Sequence, residues 1–148
     1  MRKMLATVAS MLLLALTAPV GVAAADELED GQKIFALCAQ CHGDDGSGNS
    51  LFLAPAIAGL EFWYIEAQLK VFRSGSRGLH PSDVAGMRMA PMARTLRNDE
   101  DLAAVATYVA SLPPTRPERE IHDGGPERGK THYALCGSCH AADGAGNQ

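Results

Sequence analysis

A chain of 148 residues with 17 acidic and 13 basic side chains carries a formal net charge of −4. That balance disfavours nucleic acid and anionic lipid surfaces as partners, and the length fits one or two small domains. All four cysteines fall in two identically spaced pairs, Cys38/Cys41 and Cys136/Cys139, which leaves no thiol for a separate disulfide framework.

The chain opens with Arg2 and Lys3, an apolar run from Met4 to Ala18, Pro19, and the small residues Ala23-Ala24-Ala25 ahead of an acidic segment. This is the layout of a secretory signal peptide over residues 1–25, cleaved after Ala25. An uncleaved anchor is the alternative, because Met4 to Ala25 just reaches the length of a bilayer span, but Pro19 and Gly21 break a helix where an anchor should continue. Cleavage would leave 11 basic against 17 acidic residues, a net charge of −6. The expected location is the periplasm.

Residues 27–41 read as a first helix, with Glu27, Glu29 and Asp30 in its opening turn and Ile34, Leu37, Cys38 and Cys41 on one apolar face. It ends in Cys38-Ala39-Gln40-Cys41-His42, the attachment signature of c-type haem. Two thiols on one turn can add to the two vinyl groups of a porphyrin, and the next residue offers an imidazole to the iron. The glycine-rich Gly43–Asn49 segment is a tight bend; it lacks the Lys-Ser/Thr of a phosphate loop and the closing acidic residue of a calcium loop. Pro55 follows in an extended stretch, where its carbonyl is free to accept the Nδ1 proton of His42 and fix the ring.

A second helix is expected over 61–74, with Phe62, Ile65, Leu69 and Phe72 inward and Trp63 and Tyr64 as additional core or haem-wall bulk. Met87, Met89 and Met92 then cluster around Pro91, in a stretch expected to be too irregular for a helix. A thioether beside a histidine-ligated haem iron is a candidate sixth ligand. The third helix runs from Asp99 to Leu112 with Asn98 as N-cap, and Pro113-Pro114 ends it. Residues 113–127 are a Pro-, Gly- and charge-rich linker. Residues 128–148 repeat the start of the first domain at a constant offset of 98, giving Cys136, Cys139 and His140 a second haem motif.

A zinc site would space its cysteine pairs some 15–20 residues apart, and a dithiol redox site would follow a strand; neither fits. With the haem motif, Asp45-Gly46, Pro55–Gly59, Gln68-Leu69, Met89-Ala90-Pro91-Met92, Leu96 and the Asp99–Leu112 helix in view, residues 27–112 resemble class I c-type cytochromes. The likeness is specifically to the cytochrome c4-like group, in which two such domains follow one another. The resemblance implies an all-α fold of three main helices around a covalent haem c over residues 26–112, followed by the start of a second copy. It also implies His42 and Met89 as iron ligands, Met89 being the methionine seven residues before Leu96; Met92 and Met87 are the alternatives. Cys38, Cys41, Cys136 and Cys139 would hold two haems, with His140 on the second iron.

Eight residues after His140 cannot supply the rest of a second domain. Either the chain is a fragment of a longer diheme protein, or another group, such as His122 or His132, ligates the second iron. The expected function is one-electron transfer, with no enzymatic site and with redox proteins as partners. Those partners would dock through a basic patch if net charge decides. A subunit docked to a dehydrogenase or terminal oxidase is the alternative, and a haem enzyme using an open second haem a more remote one.

Overall fold

The computed structural model describes residues 20–116 and 124–146, and these form two separate compact units. Residues 1–19 of the signal segment, and His122 in the linker, lie outside the described residues. Among the described residues the structure is all helical, with one isolated backbone bridge between Asn49 and Ala54. No helix there is long and apolar enough to cross a membrane.

The first unit is built from α1 (Val20–His42), a 3-10 turn (Ser50–Phe52), α2 (Phe62–Ser74), α3 (Val84–Ala93) and α4 (Asp99–Ser111). Helix α1 starts seven residues before its expected beginning, so Glu27, Glu29 and Asp30 sit mid-helix and not on its dipole. They act through side chains instead. Lys33 bridges Glu29 and Asp30 at 3.0 and 3.1 Å, and Glu27 accepts the Thr107 hydroxyl at 3.2 Å.

The buried stripe of α1 is Gly31, Phe35 and His42, flanked by half-buried Cys38, one residue round from the expected face. It serves two purposes. Gly31 and Phe35 meet α4, where a Cβ on Gly31 would lie 2.8 Å from the Tyr108 Cβ, and the Phe35 and Tyr108 rings pack at 5.3 Å. Ile34, Leu37 and Cys38 turn toward a cleft on the other side.

Helix α2 forms as expected and buries Ile65, Leu69 and Phe72 at i, i+4 and i+7. Its first turn does not follow the expected pattern: Trp63 is 65% exposed and Phe62 and Tyr64 are also exposed, because the Leu69 face leaves the start of the helix outside the core. The Met87–Met92 stretch is a helix after all. Asp83 caps it by accepting the Gly86 amide at 2.9 Å, and Pro91 is tolerated because the helix ends two residues later, so only its last turn loses a backbone bond. Arg73 then fastens the α3–α4 connection, donating to the Asn98 carbonyl at 2.9 Å and pairing with the Asp99 carboxylate. Asn98 caps α4, accepting the Asp101 amide at 2.7 Å, and α4 carries fully buried Leu102 into the core.

In the second unit α5 (Pro126–His140) begins two residues before the expected repeat, inside the segment read as linker, and buries none of its residues.

Candidate functional site

An apolar cleft lies between α1, α2, α3 and α4. Ile34, Leu37 and Cys38 of α1, Ile57, Ile65 and Leu69 wall it on one side. Met89 and Met92 of α3, with Leu96, Val105 and Val109, wall it on the other. His42 reaches it from the end of α1 and is 8% exposed.

The loop after His42 is what orients that ring. Gly43, Gly46 and Gly48 all have positive φ, which lets the chain double back so that the Gly48 amide donates to the His42 carbonyl at 2.8 Å. At Gly48 the missing side chain matters sterically as well. A Cβ there would sit 2.6 Å from the Pro55 carbonyl carbon and the Ala56 nitrogen, so only glycine admits the 54–56 segment at this distance. This segment is pinned by paired bonds between Asn49 and Ala54, 2.8 and 3.0 Å, and the Pro55 carbonyl is thereby placed 2.9 Å from His42 Nδ1. A carbonyl can only accept, so Nδ1 carries the proton and donates it. Nε2 has no hydrogen-bond partner among the described residues.

Of the three clustered methionines, the helix separates the candidates. Met89 and Met92, at i and i+3, share the inward face and line the cleft; Met87 lies on the other side and is exposed. Met89 also packs against the buried core. Cys38 lines the cleft and Cys41 is half-buried beside it. Burial pushes the Cys38 thiol up, and the neighbouring Cys41 adds to the rise, while the backbone partly offsets it. Ile57, Thr95, Val105 and Val109 line the cleft without having been singled out for it. The regular apolar spacing of α4 was the available signal for the last two.

The second motif sits on the exposed end of α5, with Cys136, Cys139 and His140 all open to solvent, as is His132. Its following loop nonetheless repeats three hydrogen bonds of the first. Gly146 donates to the His140 carbonyl at 3.0 Å as Gly48 does to His42, and Gly144 donates to Ala141 as Gly46 does to Gly43. The Asp143 carboxylate accepts the Ala145 amide at 3.0 Å as Asp45 accepts that of Ser47 at 2.9 Å. Tyr133, at the position of Phe35, donates its hydroxyl to the Ala141 carbonyl at 2.9 Å. Among the described residues His140 has no counterpart of the bond to Pro55.

Two thiols at a helix end, an imidazole held through Nδ1 with Nε2 free and a thioether, gathered on an apolar cleft, match the needs of an iron porphyrin held covalently. The residues present therefore fit a haem, and fold and site together define a c-type haem domain. The chain belongs to the cytochrome c family, whose model its residues 28–113 match. Its cofactor is covalently bound haem c. It is 33% identical over 122 residues to a cbb3-type cytochrome c oxidase subunit CcoP of Rubrivivax gelatinosus, covering 80% of this chain and 35% of that protein. With cytochrome c4 of Azotobacter vinelandii the identity is 32% over 138 residues, 84% of this chain and 62% of the relative. A solved structure, the thiosulfate dehydrogenase TsdBA of Marichromatium purpuratum, superposes with a TM-score of 0.63 at 30% identity, over 76% of this chain and 26% of that one. The chain thus spans between about a third and just under two thirds of the length of these curated relatives.

Proposed function

We propose that the chain is an exported, periplasmic one-electron carrier in a respiratory or related redox chain, in which His42 Nε2 and the Met89 sulfur would ligate the iron of the first haem. The observation that carries this reading is the convergence of a proton-fixed imidazole and a core-packed methionine on one apolar cleft. When bound, the haem supplies a one-electron iron couple, and thioether ligation favours the reduced form. The protein's part is positional. Cys38 and Cys41 would anchor the haem, and Pro55 would hold the His42 ring in place through its Nδ1 proton. Leu69, Leu96, Val105 and Val109 exclude water, and two protein ligands leave no coordination position for a substrate. Cys136, Cys139 and His140 hold a second haem c in the same way, and residues 1–25 are removed on export.

Replacing Met89 with Ala tests the ligand assignment. The variant loses the charge-transfer band from methionine sulfur to ferric iron and its potential falls, while Met92→Ala keeps the band; retention of the band in Met89→Ala sinks the assignment. Mass spectrometry of the exported protein should find two haem additions and an N-terminus at Asp26.

A second reading, an electron-transfer subunit held permanently by a dehydrogenase or oxidase, is favoured by the likeness to an oxidase subunit and to a "Thiosulfate dehydrogenase electron acceptor" of Stutzerimonas stutzeri, 36% identical over 93 residues. Co-purification of the native protein with a catalytic subunit would favour it over a free shuttle.

A further inference from the structure

The outward side of α3 differs in charge from the rest of the first unit. From Gly75 to Asn98 the chain has four arginines, Arg77, Arg88, Arg94 and Arg97, against one acidic residue, Asp83, whose carboxylate is engaged by the Gly86 amide. Arg77 is occupied over the Phe72 ring at 4.5 Å and with Gln68. Arg88, Arg94 and Arg97 are exposed, and among the described residues none has an ion-pair partner. The acidic groups are elsewhere: from Asp26 to Glu61 seven carboxylates face a single cation, Lys33, and Asp99, Glu100 and Asp101 open α4.

The same region exposes apolar surface. Met87 and Pro91 lie on the outer face of α3, and Arg88 donates to the Phe52 carbonyl at 3.0 Å, fastening to the helix a 3-10 turn whose Leu51 is 86% exposed. Leu79, also exposed, lies with the Arg94 guanidinium over Gly75. An apolar centre with unpaired arginines around it is the composition of an interface, not of an ordinary solvated face. On the inner side of this helix Met89 and Met92 line the cleft, and a helix is only about 10–12 Å across.

We propose that the outer face of α3, with the Ser50–Phe52 turn, is the docking surface for a redox protein with an acidic contact face. The proposal rests on the electron-carrier reading and names the partner's charge. Net charge alone points to a basic partner; the placement of the charges reverses that, because an approaching molecule responds to the local field within a Debye length, about 30 Å at 0.01 M salt and 8 Å at 0.15 M.

The test is stopped-flow electron exchange between the reduced full-length holoprotein and ferricyanide, an anion, between 10 and 200 mM salt. If exchange occurs at the α3 face, the rate constant falls with salt, by about tenfold, despite the net negative charge of the protein. Polyaspartate, an acidic polypeptide, slows the reaction at low salt. The Arg88→Gln/Arg94→Gln/Arg97→Gln variant loses both effects, as in large part does Arg94→Gln/Arg97→Gln, which keeps the bond to Phe52. Glu27→Gln/Glu29→Gln/Asp30→Asn, on the opposite charge pole, keeps both. A wild-type rate that rises with salt, or an unchanged fall in the arginine variants, overturns the proposal. The electron-carrier reading fails separately, if the holoprotein exchanges no electrons with ferricyanide at any salt; the methionine–iron band of the arginine variants checks that the haem site is intact.

Discussion

Gly31 and Gly129 are separated by the repeat offset of 98 and both lie inside helices, yet the same substitution should affect them in opposite senses. Glycine to alanine in a helix interior is worth about 1 kcal/mol through reduced chain freedom and better propensity. At Gly129 a new Cβ meets nothing within 4 Å, so Gly129→Ala should retain that gain as helicity in α5. At Gly31 the added methyl would lie 2.8 Å from both the Ala104 carbonyl carbon and the Tyr108 Cβ, and closer still to the Ala104 oxygen. Two of these contacts are backbone and cannot rotate away, so α1 and α4 must separate. Overpacking of this kind costs about 1–3 kcal/mol, and separation also weakens the Phe35–Tyr108 ring contact, worth about 0.5–1.5 kcal/mol. After the propensity gain, Gly31→Ala should lose about 1–3 kcal/mol. Guanidinium unfolding of the holoprotein, followed by helical circular dichroism and by Soret absorbance, measures it. A Gly31→Ala variant as stable as wild type would refute the close crossing of α1 and α4.

Arg73 holds the Asp99 carboxyl below the usual carboxylate range, through the hydrogen bond first and then through its charge. A depressed folded-state value contributes stability above the unfolded-state value of about 3.9, lost as pH falls through the folded one. Acid unfolding of Arg73→Met should therefore lack that component below about pH 4, while the variant is also less stable at pH 7 because the Asn98 carbonyl loses its donor. Asn98→Ala should cost about 0.5–2 kcal/mol in a thermal melt by uncapping α4, and Asn98→Asp should restore most of it. Ala141 has φ of 61° where the first copy has Gly43 at 79°, so Ala141→Gly should order the second loop by up to about 1 kcal/mol, read as amide exchange protection at Gly146.

Much of the haem domain is legible in the sequence because its cues are local. The cysteine pair, the Asn98 cap and the apolar spacings of α2 and α4 each depend on residues within a turn or two, and the Pro55 carbonyl follows from proline's exclusion from helix ladders. What is not legible depends on tertiary context. Pro91 reads as a helix breaker, but whether α3 survives it turns on how soon the helix ends. Trp63 reads as core by chemistry, while its exposure is set by where the Leu69 face meets α4. The α1 stripe is offset by one residue because two different neighbours, α4 and the cleft, share that helix. The charge polarity of α3 is present in the sequence, but net charge conceals it.

The turn that follows each haem motif has a local inner frame. The bonds from Gly48 to His42, Gly46 to Gly43 and Ser47 to Asp45, and their echoes in 140–146, join groups at most six positions apart. Closing a loop of this size takes on the order of 10–100 ns and costs little chain entropy. Its formation therefore does not wait for α4 to pack on α1, and the second copy adopts it with no buried residue in its helix. Because this inner frame is local, presenting the cysteine pair and its histidine at a turn does not require the packed core, and haem attachment is not obliged to follow core assembly.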